Sequence, residues 1–155
     1  MKKIALALIL AASAGSAFAW TLGVDAGRSD IGNAGNETAY RVSLAHAYNP
    51  NLSAEVSYMD SGKFLGAKTN AFDVAAVGSY PVYGAFSVTG RLGVSRTAAK
   101  MGGATDSNTG ITAGIGGKYQ FDKNWAATVT VDRYDNFADS DEAMDVIAMG
   151  AKYTF

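Results

Sequence analysis

Apolar and polar side chains alternate along most of the chain beyond residue 19. A period of two predicts β-strands, because successive side chains of a strand point to opposite faces. Segments rich in Gly, Asn, Asp and Ser separate the alternating stretches and indicate turns and loops. The eight predicted strands are Trp20–Arg28, Ala39–Tyr48, Leu52–Asp60, Asn70–Tyr80, Ala85–Arg96, Thr109–Phe121, Trp125–Asp135 and Ala143–Phe155.

The connections between these strands alternate between short and long. The short ones are predicted tight turns at Asn49–Asn51, Pro81–Gly84 and Asp122–Asn124. Both prolines lie in these turns, where no hydrogen bond of a strand is lost. The longer, polar connections are Ser29–Thr38, Ser61–Thr69, Thr97–Asn108 and Asn136–Glu142. This pattern predicts an all-β fold, an eight-stranded antiparallel up-and-down barrel with the short turns at one rim and the loops at the other.

The last predicted strand indicates which face of the barrel carries the bulky apolar side chains. One of its faces carries Ile147, Met149, Ala151, Tyr153 and Phe155. The other face carries Ala148, Gly150, Lys152 and Thr154. A bulky outward set with a small or charged inward set is typical of a barrel in a membrane, and tilted strands of about 9–11 residues can cross the hydrocarbon core.

Aromatic side chains concentrate near the ends of the predicted strands. Near the short-turn rim they are Trp20, Tyr48, Tyr80, Tyr83, Phe86, Tyr119, Phe121, Trp125, Tyr153 and Phe155. Near the long-loop rim they are Tyr40, Tyr58 and Phe72, with Phe137 as a further candidate. Two such bands on either side of an Ala-, Val-, Leu-, Ile- and Gly-rich zone are typical of the two interfaces of a membrane.

On the predicted inward face, each strand carries one strongly charged residue. These residues are Asp25, Arg41, Glu55, Asp73, Arg91, Lys118, Asp132 and Lys152. Four are acidic and four are basic, so we expect opposite charges to pair, because an unpaired charge in a closed barrel is costly to desolvate. Eight strands enclose an interior that side chains can fill. We therefore expect a polar, nearly neutral interior with little open bore.

The first 19 residues have the parts of a secretory signal peptide. Lys2 and Lys3 precede the apolar run Ile4–Ala12, and Ala17 and Ala19 supply the small residues that a signal peptidase reads. Cleavage after Ala19 would leave residues 20–155 as the barrel domain. The predicted location is therefore the outer membrane of a Gram-negative envelope.

Composition excludes some classes of partner and chemistry. Loss of the two lysines of the signal peptide lowers the 13 basic residues to 11, against 14 acidic ones, so the mature net charge is about −3. This balance does not suggest nucleic acid as a partner. The chain has no Cys, so disulfides and thiolate metal sites are excluded, and we expect no cofactor and no metal.

Along residues 20–155 the chain resembles the small eight-stranded outer-membrane barrels of the OmpA, OmpX and opacity-protein type. The resemblance implies an interior charge network, in which Glu55, Arg91 and Lys118 match the family's Glu, Arg and Lys. It also implies that Tyr153 and Phe155 belong to the assembly signal read by the barrel-assembly machinery. The implied partners are outer-membrane lipid and lipopolysaccharide, the assembly machinery and periplasmic chaperones, and we expect a monomer.

Candidate catalytic motifs are weak. Some eight-stranded outer-membrane barrels act on lipid A with a His, a Ser and a carboxylate, but the single histidine, His46, lies on the outward face between two alanines. The glycines of Gly114–Gly117 lie inside a predicted strand, without the helix that a dinucleotide site requires. The acidic residues between Asp135 and Asp145 lack the spacing of a calcium loop. No catalytic residue is therefore predicted.

Three functions remain compatible with the sequence. The first is a non-enzymatic outer-membrane barrel that contributes to envelope structure and surface presentation. The second is a narrow, porin-like pore for water or small ions, and the third is a surface adhesin. A soluble lipocalin is disfavoured, because it needs an apolar cavity where this chain has a charged and hydroxylated inward face.

Overall fold

The computed structural model describes residues 19–30, 35–64, 67–101, 104–135 and 143–155. These residues form one closed sheet in which every strand pairs antiparallel with its neighbours in sequence, and the first pairs with the last. The strands are β1 (Trp20–Asp30), β2 (Asn36–Asn49), β3 (Leu52–Phe64), β4 (Ala67–Tyr83), β5 (Phe86–Met101), β6 (Ala104–Gln120), β7 (Trp125–Tyr134) and β8 (Met144–Thr154). The prediction of an eight-stranded up-and-down barrel is confirmed. Within the described ranges, no helix is long and apolar enough to cross a membrane.

The two ends of the described chain close the barrel. β1 and β8 pair from Thr21 opposite Thr154 to Asp30 opposite Asp145. The backbone N–H of Phe155 donates to the carbonyl of Trp20 at 2.9 Å, which extends the seam by one further bond. The predicted signal peptide, apart from Ala19, lies outside the described residues and stays a prediction.

Two hairpins are longer than the sequence suggested. The predicted loops Ser61–Thr69 and Thr97–Asn108 are wrong for most of their length, because the facing strands continue through them and only residues 65–66 and 102–103 lie outside the described part. Ser61, Thr69 and Thr97 point inward and are 0, 2 and 1% exposed. Polar residues that face the interior keep the alternation of a strand, so polarity alone did not mark the end of these strands.

The other two connections at this rim join β1 to β2 and β7 to β8. The predicted loop Ser29–Thr38 shortens at both ends, since β1 continues to Asp30 and β2 begins at Asn36. The predicted loop Asn136–Glu142, with its acidic residues, lies outside the described residues.

One predicted short turn is also shorter than expected. The prediction of a turn over Pro81–Gly84 is wrong in part, because β4 continues to Tyr83 and only Gly84 and Ala85 form the turn. Gly84 has a φ of 53°, which favours glycine. Pro81 is tolerated in β4 because it lies next to a shift in register, where a missing N–H costs little.

The outer surface of the barrel is apolar. Leu92, Ile115 and Met149, on three different strands, are 63, 70 and 68% exposed. In a soluble protein such side chains would be buried, so this belt is suited to contact with lipid chains.

Aromatic side chains occur near both rims, as predicted. At the short-turn rim, exposed ones are Tyr48, Tyr80, Tyr83, Phe86, Tyr119, Phe121, Trp125 and Phe155, with Trp20 and Tyr153 half-buried. At the other rim, Tyr40 and Phe72 are exposed and Tyr58 is half-buried, whereas Phe137 lies outside the described residues.

The middle of the interior is polar and charge-paired, as predicted, and an apolar part that was not predicted lies beside it. Tyr134, Met59 and Met144 are 0, 1 and 0% exposed. They belong to an apolar cluster inside the long-loop half of the barrel, the apolar layer, whose members are Ala39, Met59, Ala71, Tyr134, Met144, Val146 and Ala148. Tyr134 has the same parity as the inward Asp132, and Met144 the same parity as the inward Lys152. The alternation of the sequence therefore already indicated that both side chains face the interior.

Candidate functional site

The candidate site is the group of charged side chains inside the barrel. Strand alternation turns all eight predicted residues toward the lumen, and neighbouring strands bring them together in its middle. Six are buried: Asp25, Arg41, Glu55, Asp73, Arg91 and Asp132. Lys118 and Lys152 are half-buried and lie nearer the short-turn rim.

Arg41 on β2 joins two aspartates across the lumen. Its Nε lies 3.0 Å from Asp25 Oδ2, on the neighbouring strand β1. Its Nη1 lies 2.6 Å from Asp132 Oδ2 on β7, and its Nη2 donates to Thr130 Oγ1 at 3.0 Å. Thr128 Oγ1 donates to the remaining oxygen of Asp25 at 3.1 Å. One guanidinium thus ties β1 and β2 to β7, since its planar fork can serve several acceptors at once.

Arg91 on β5 forms the second centre of charge. Its Nη2 contacts Asp73 directly and lies 3.6 Å from Glu55 Oε1. Ser57 Oγ donates to Asp73 Oδ1 at 2.6 Å. On its other side, Nη1 of Arg91 lies 3.7 Å from Asp132 Oδ1, too far for a hydrogen bond. Asp132 therefore stands between the two arginines and links their ion pairs into one network.

Glu55 pairs with a different lysine from the one that the family resemblance implied. Lys152 Nζ on β8 lies 2.7 Å from Glu55 Oε2 and donates to it. Glu55 is 3% exposed at its side chain, so this bond is largely shielded from solvent. The expectation that Lys118 would join Glu55 and Arg91 is wrong for the described residues, because Lys152 on β8 reaches across the lumen to Glu55 on β3 and pairs with it.

Within the described part of the chain, Lys118 is the one member of the predicted set without a charged partner. Among the residues that the structure describes, it makes no ion pair and no hydrogen bond, and the nearby charge that acts on it is that of Lys152, which is also positive. Its strand neighbours are Ser87 on β5 and Thr128 on β7. In the ranges that the structure describes, seven of the eight predicted residues are thus in ion pairs, and Lys118 is not.

Inward glycines make room for the network. Gly114 lies opposite Asp132 and Gly150 lies opposite Asp25 in the strand register. A β-carbon at either glycine would overlap a carboxylate oxygen of the facing aspartate. The glycines of β6 are not a nucleotide motif, and the close approach of the Asp132 carboxylate accounts for Gly114.

A cavity of about 220 Å³ occupies the short-turn half of the lumen. Its floor includes Arg41, Arg91 and Asp132. Its mouth includes the turn residues Asn49 to Asn51 and the ends of β6 and β8. The lumen is therefore open from one rim down to the ion network, with the apolar layer on the far side.

The remaining predicted residues lie on the outside. Tyr153 stacks between Trp125 and Phe155, with ring centroids 4.9 and 5.0 Å away in edge-on geometry. His46 lies between Trp20 and Tyr48, with ring centroids 4.6 and 5.6 Å away. An aromatic girdle surrounds the histidine, and the inward charges are on the opposite face of the sheet.

The chain is similar to known outer-membrane barrel proteins. A family model described as the outer membrane protein beta-barrel domain matches residues 4–155. A comparison with curated proteins found no match.

Several solved structures share the architecture. The N-terminal β-barrel domain of Pseudomonas aeruginosa OprF has a TM-score of 0.66 and 15% identity, covering 87% of this chain and 97% of that one. Neisserial surface protein A has a TM-score of 0.61 and 15% identity, covering 90% and 98%. Ail, the attachment invasion locus protein of Yersinia pestis, has a TM-score of 0.61 and 16% identity, covering 89% and 97%. The outer-membrane enzyme PagL has a TM-score of 0.59 and 12% identity, covering 85% and 97%. At these identities the likeness concerns the fold alone.

Proposed function

Because this chain belongs to the outer membrane protein beta-barrel domain family, we propose that it is a non-enzymatic integral protein of the outer membrane that contributes to envelope structure and presents its long-loop rim at the cell surface. The apolar belt supports the membrane location, since side chains such as Ile115 are 70% exposed on the outside of the barrel. One observation supports the structural role over transport: among the described residues, an ion-pair network and an apolar layer lie across the lumen, and we infer that they block it.

The block has two parts in series. Arg41 on β2 crosses the lumen to Asp132 on β7, and Arg91 on β5 pairs with Asp73 on the neighbouring strand β4. Both arginines are at least nine-tenths buried. On the long-loop side of them lies the apolar layer, where Tyr134 and Met144 are 0% exposed. An ion would have to displace the arginines and then cross an apolar constriction, and both steps are unfavourable.

Conductance of the refolded protein in a planar bilayer tests this proposal. We expect no steady current, with an open porin as the positive control in the same membrane. Steady, sizeable currents would instead favour the alternative of a narrow pore for water or small ions. The cavity in the short-turn half is the observation on which that alternative rests, because it already leads to the ion network.

A deletion strain tests the contribution to the envelope. We expect increased sensitivity to detergents that restored expression of the chain reverses. The adhesin alternative predicts intact resistance to detergents and reduced attachment to host cells. This alternative rests on Ail, the attachment invasion locus protein, which has the same fold and is 16% identical to this chain.

An enzymatic role like that of PagL has less support in this chain. His46 is the only histidine. It is enclosed by Trp20 and Tyr48, and a general base must lie within hydrogen-bond reach of its nucleophile. We therefore propose no catalytic residue.

Export and assembly complete the proposal. The signal peptide would be removed after Ala19, and N-terminal sequencing of the mature protein would then begin at Trp20. Tyr153 and Phe155 would be read by the assembly machinery after delivery by periplasmic chaperones. The folded monomer would contact outer-membrane lipid and lipopolysaccharide through its apolar belt.

A further inference from the structure

The cavity in the short-turn half of the lumen, which we call the vestibule, has an excess of positive charge. Four basic side chains and two acidic ones line it. They are Arg41, Arg91, Lys118, Lys152, Glu55 and Asp132. Asp25 and Asp73, which balance the arginines, do not belong to its lining. The eight charges of the network sum to zero, but the surface that faces the vestibule is positive.

Both acidic residues of the vestibule are already engaged. Glu55 is held by Lys152 at 2.7 Å and by Arg91 at 3.6 Å. Asp132 is held by Arg41 at 2.6 Å. The positive charge left over is that of Lys118, which has no ion pair or hydrogen bond among the described residues. A half-buried ammonium group without a counter-ion favours an anion beside it.

Two hydroxyl groups lie on the same wall as Lys118. Ser79 on β4 pairs in register with Thr89 on β5, and Thr89 pairs with Gly116 on β6, two residues before Lys118. Both hydroxyl side chains line the vestibule, and neither makes a hydrogen bond with a described residue. Gly116 has no side chain to separate them from the lysine. Three adjacent strands thus offer one ammonium and two free hydroxyl donors.

We propose that the vestibule binds a small dissolved oxyanion, of the phosphate or sulfate type, between Lys118, Thr89 and Ser79. A tetrahedral oxyanion offers several acceptor oxygens, which an ammonium group and two hydroxyls can satisfy together. The volume of about 220 Å³ admits such an ion with water around it, since a single water needs only about 10–15 Å³ of comparable volume. The short-turn rim faces the periplasm in barrels of this type, so the ion would enter from that compartment.

Titration of the refolded barrel with inorganic phosphate tests the site. The protein is held in a non-ionic maltoside micelle, amide shifts are followed by NMR, and sodium chloride at matched ionic strength is the reference. Phosphate should shift the amides of Ser79, Thr89 and Lys118 most. K118Q should weaken binding by about tenfold or more, because hydrogen bonds to charged groups are the stronger ones. T89V should weaken it less, since it removes one neutral donor of nearly the same shape.

Two further variants separate a specific site from general attraction. K123Q removes an exposed lysine of the turn at the same rim and should leave the affinity within about twofold, because solvent and salt screen such a charge. E55Q removes a negative charge from the wall and should tighten binding. Each variant is checked for native folding by the heat-dependent gel mobility of the barrel and by circular dichroism.

Two results would overturn the proposal. One is the same phosphate affinity in the natural protein, K118Q and K123Q, which would indicate unspecific attraction. The other is no phosphate-dependent shift beyond that of chloride. Neither result bears on the structural role proposed above, which is tested by conductance and by the deletion strain.

Discussion

At the scale of single residues, Glu55 joins Lys152 to the Arg91 centre of the interior network. It accepts from Lys152 on one side and lies near Arg91 on the other, so it links β3 to β5 and β8. Its burial leaves water little part in solvating the carboxylate. A change at this residue should therefore affect its partners as well as itself.

We predict that Glu55→Gln lowers the free energy of unfolding by up to about 3–5 kcal/mol, because it leaves Lys152 and Arg91 without their shared counter-ion. Water in the vestibule would reduce this loss. The double variant Glu55→Gln/Lys152→Gln should recover part of it, because the orphaned charge is gone. Urea unfolding in lipid vesicles measures both effects.

The matched control is Glu55→Gln/Lys118→Gln. Lys118 has no bond to Glu55, so its removal should not relieve the orphaned Lys152. If this double variant recovered as much as the one with Lys152, the pairing seen between Glu55 and Lys152 would not be the one that stabilises the barrel.

Glycine at 114 provides a second test at this scale. We predict that Gly114→Ala destabilises the barrel by about 1–3 kcal/mol, because the added methyl group collides with the carboxylate of Asp132. Gly90 is on the neighbouring strand, with open space where a β-carbon would be, so Gly90→Ala should be neutral or slightly stabilising. If both substitutions changed the free energy of unfolding equally, contact with Asp132 would not be the cause of the loss at Gly114.

At the scale of the strand, one parity faces lipid and the other faces charge. On β7, Val129 is 54% exposed on the outside, while Thr130 donates inward to Asp132 Oδ2 at 3.1 Å. Of two adjacent residues on one strand, one must therefore be apolar to contact lipid and the other must be polar to bond within the network. The same alternation let polar residues continue β3 to β6 beyond the predicted ends.

We predict that Val129→Arg destabilises the barrel by about 2–4 kcal/mol if the position is near the bilayer midplane. Thr130→Ser keeps the inward hydroxyl and should be nearly silent. Unfolding in vesicles of both variants measures the difference. Equal tolerance of the two changes would refute the assignment of faces.

The turn between β6 and β7 depends on one exposed carboxylate. Asp122 Oδ1 accepts hydrogen bonds from the backbone N–H groups of Trp125 and Asn124, each at 2.8 Å. These two bonds hold the pKa of Asp122 below its usual value, and the bond from Trp125 has the larger effect. They favour the charged form, so the turn is more stable when Asp122 is ionised.

The pH dependence of stability follows from the lowered pKa. The contribution of Asp122 is complete above the pKa that this carboxyl has in the unfolded chain, and it is lost as the pH falls through the lower pKa of the folded chain. We predict that the natural protein loses this increment on acidification and that Asp122→Ala does not. Stability measured against pH in both proteins checks it, and parallel curves would contradict it.

At the scale of the whole molecule, the barrel is asymmetric along its axis. Short turns, the vestibule and most exposed aromatic side chains are at one end, whereas the apolar layer lies inside the other. In barrels of this type the short turns face the periplasm and the longer connections face outward. The vestibule would then open to the periplasm and the sealed half to the cell surface.

We predict that protease added to whole cells cuts only at the long-loop rim, if it cuts at all. The exposed turns at residues 49–51 and 121–124 should be protected until the outer membrane is opened. Mass spectrometry of the fragments locates the cuts. Cleavage at either turn in intact cells would reverse the orientation.

The sequence by itself determined the strand number, the antiparallel order and the inward face of the eight charged residues of the network. These properties follow from period-two alternation and from turn-forming residues, which are local. The residues at which the strands end were harder to predict from the sequence. Ser61, Thr69 and Thr97 are polar residues of a kind common in loops, and only their inward position in a paired hairpin makes them part of strands.

The tertiary structure decided which inward residues meet. Lys118 and Lys152 have the same parity and lie near the same rim, but only the register around the closed barrel brings Lys152 to 2.7 Å from Glu55. Register also gathers Met59 of β3 with Tyr134 and Met144 of the distant β7–β8 hairpin into one apolar layer. Local alternation specifies the face of a strand that a side chain occupies. Its partners across the lumen depend on the offsets of all the strands together, and these exist only once the barrel has closed.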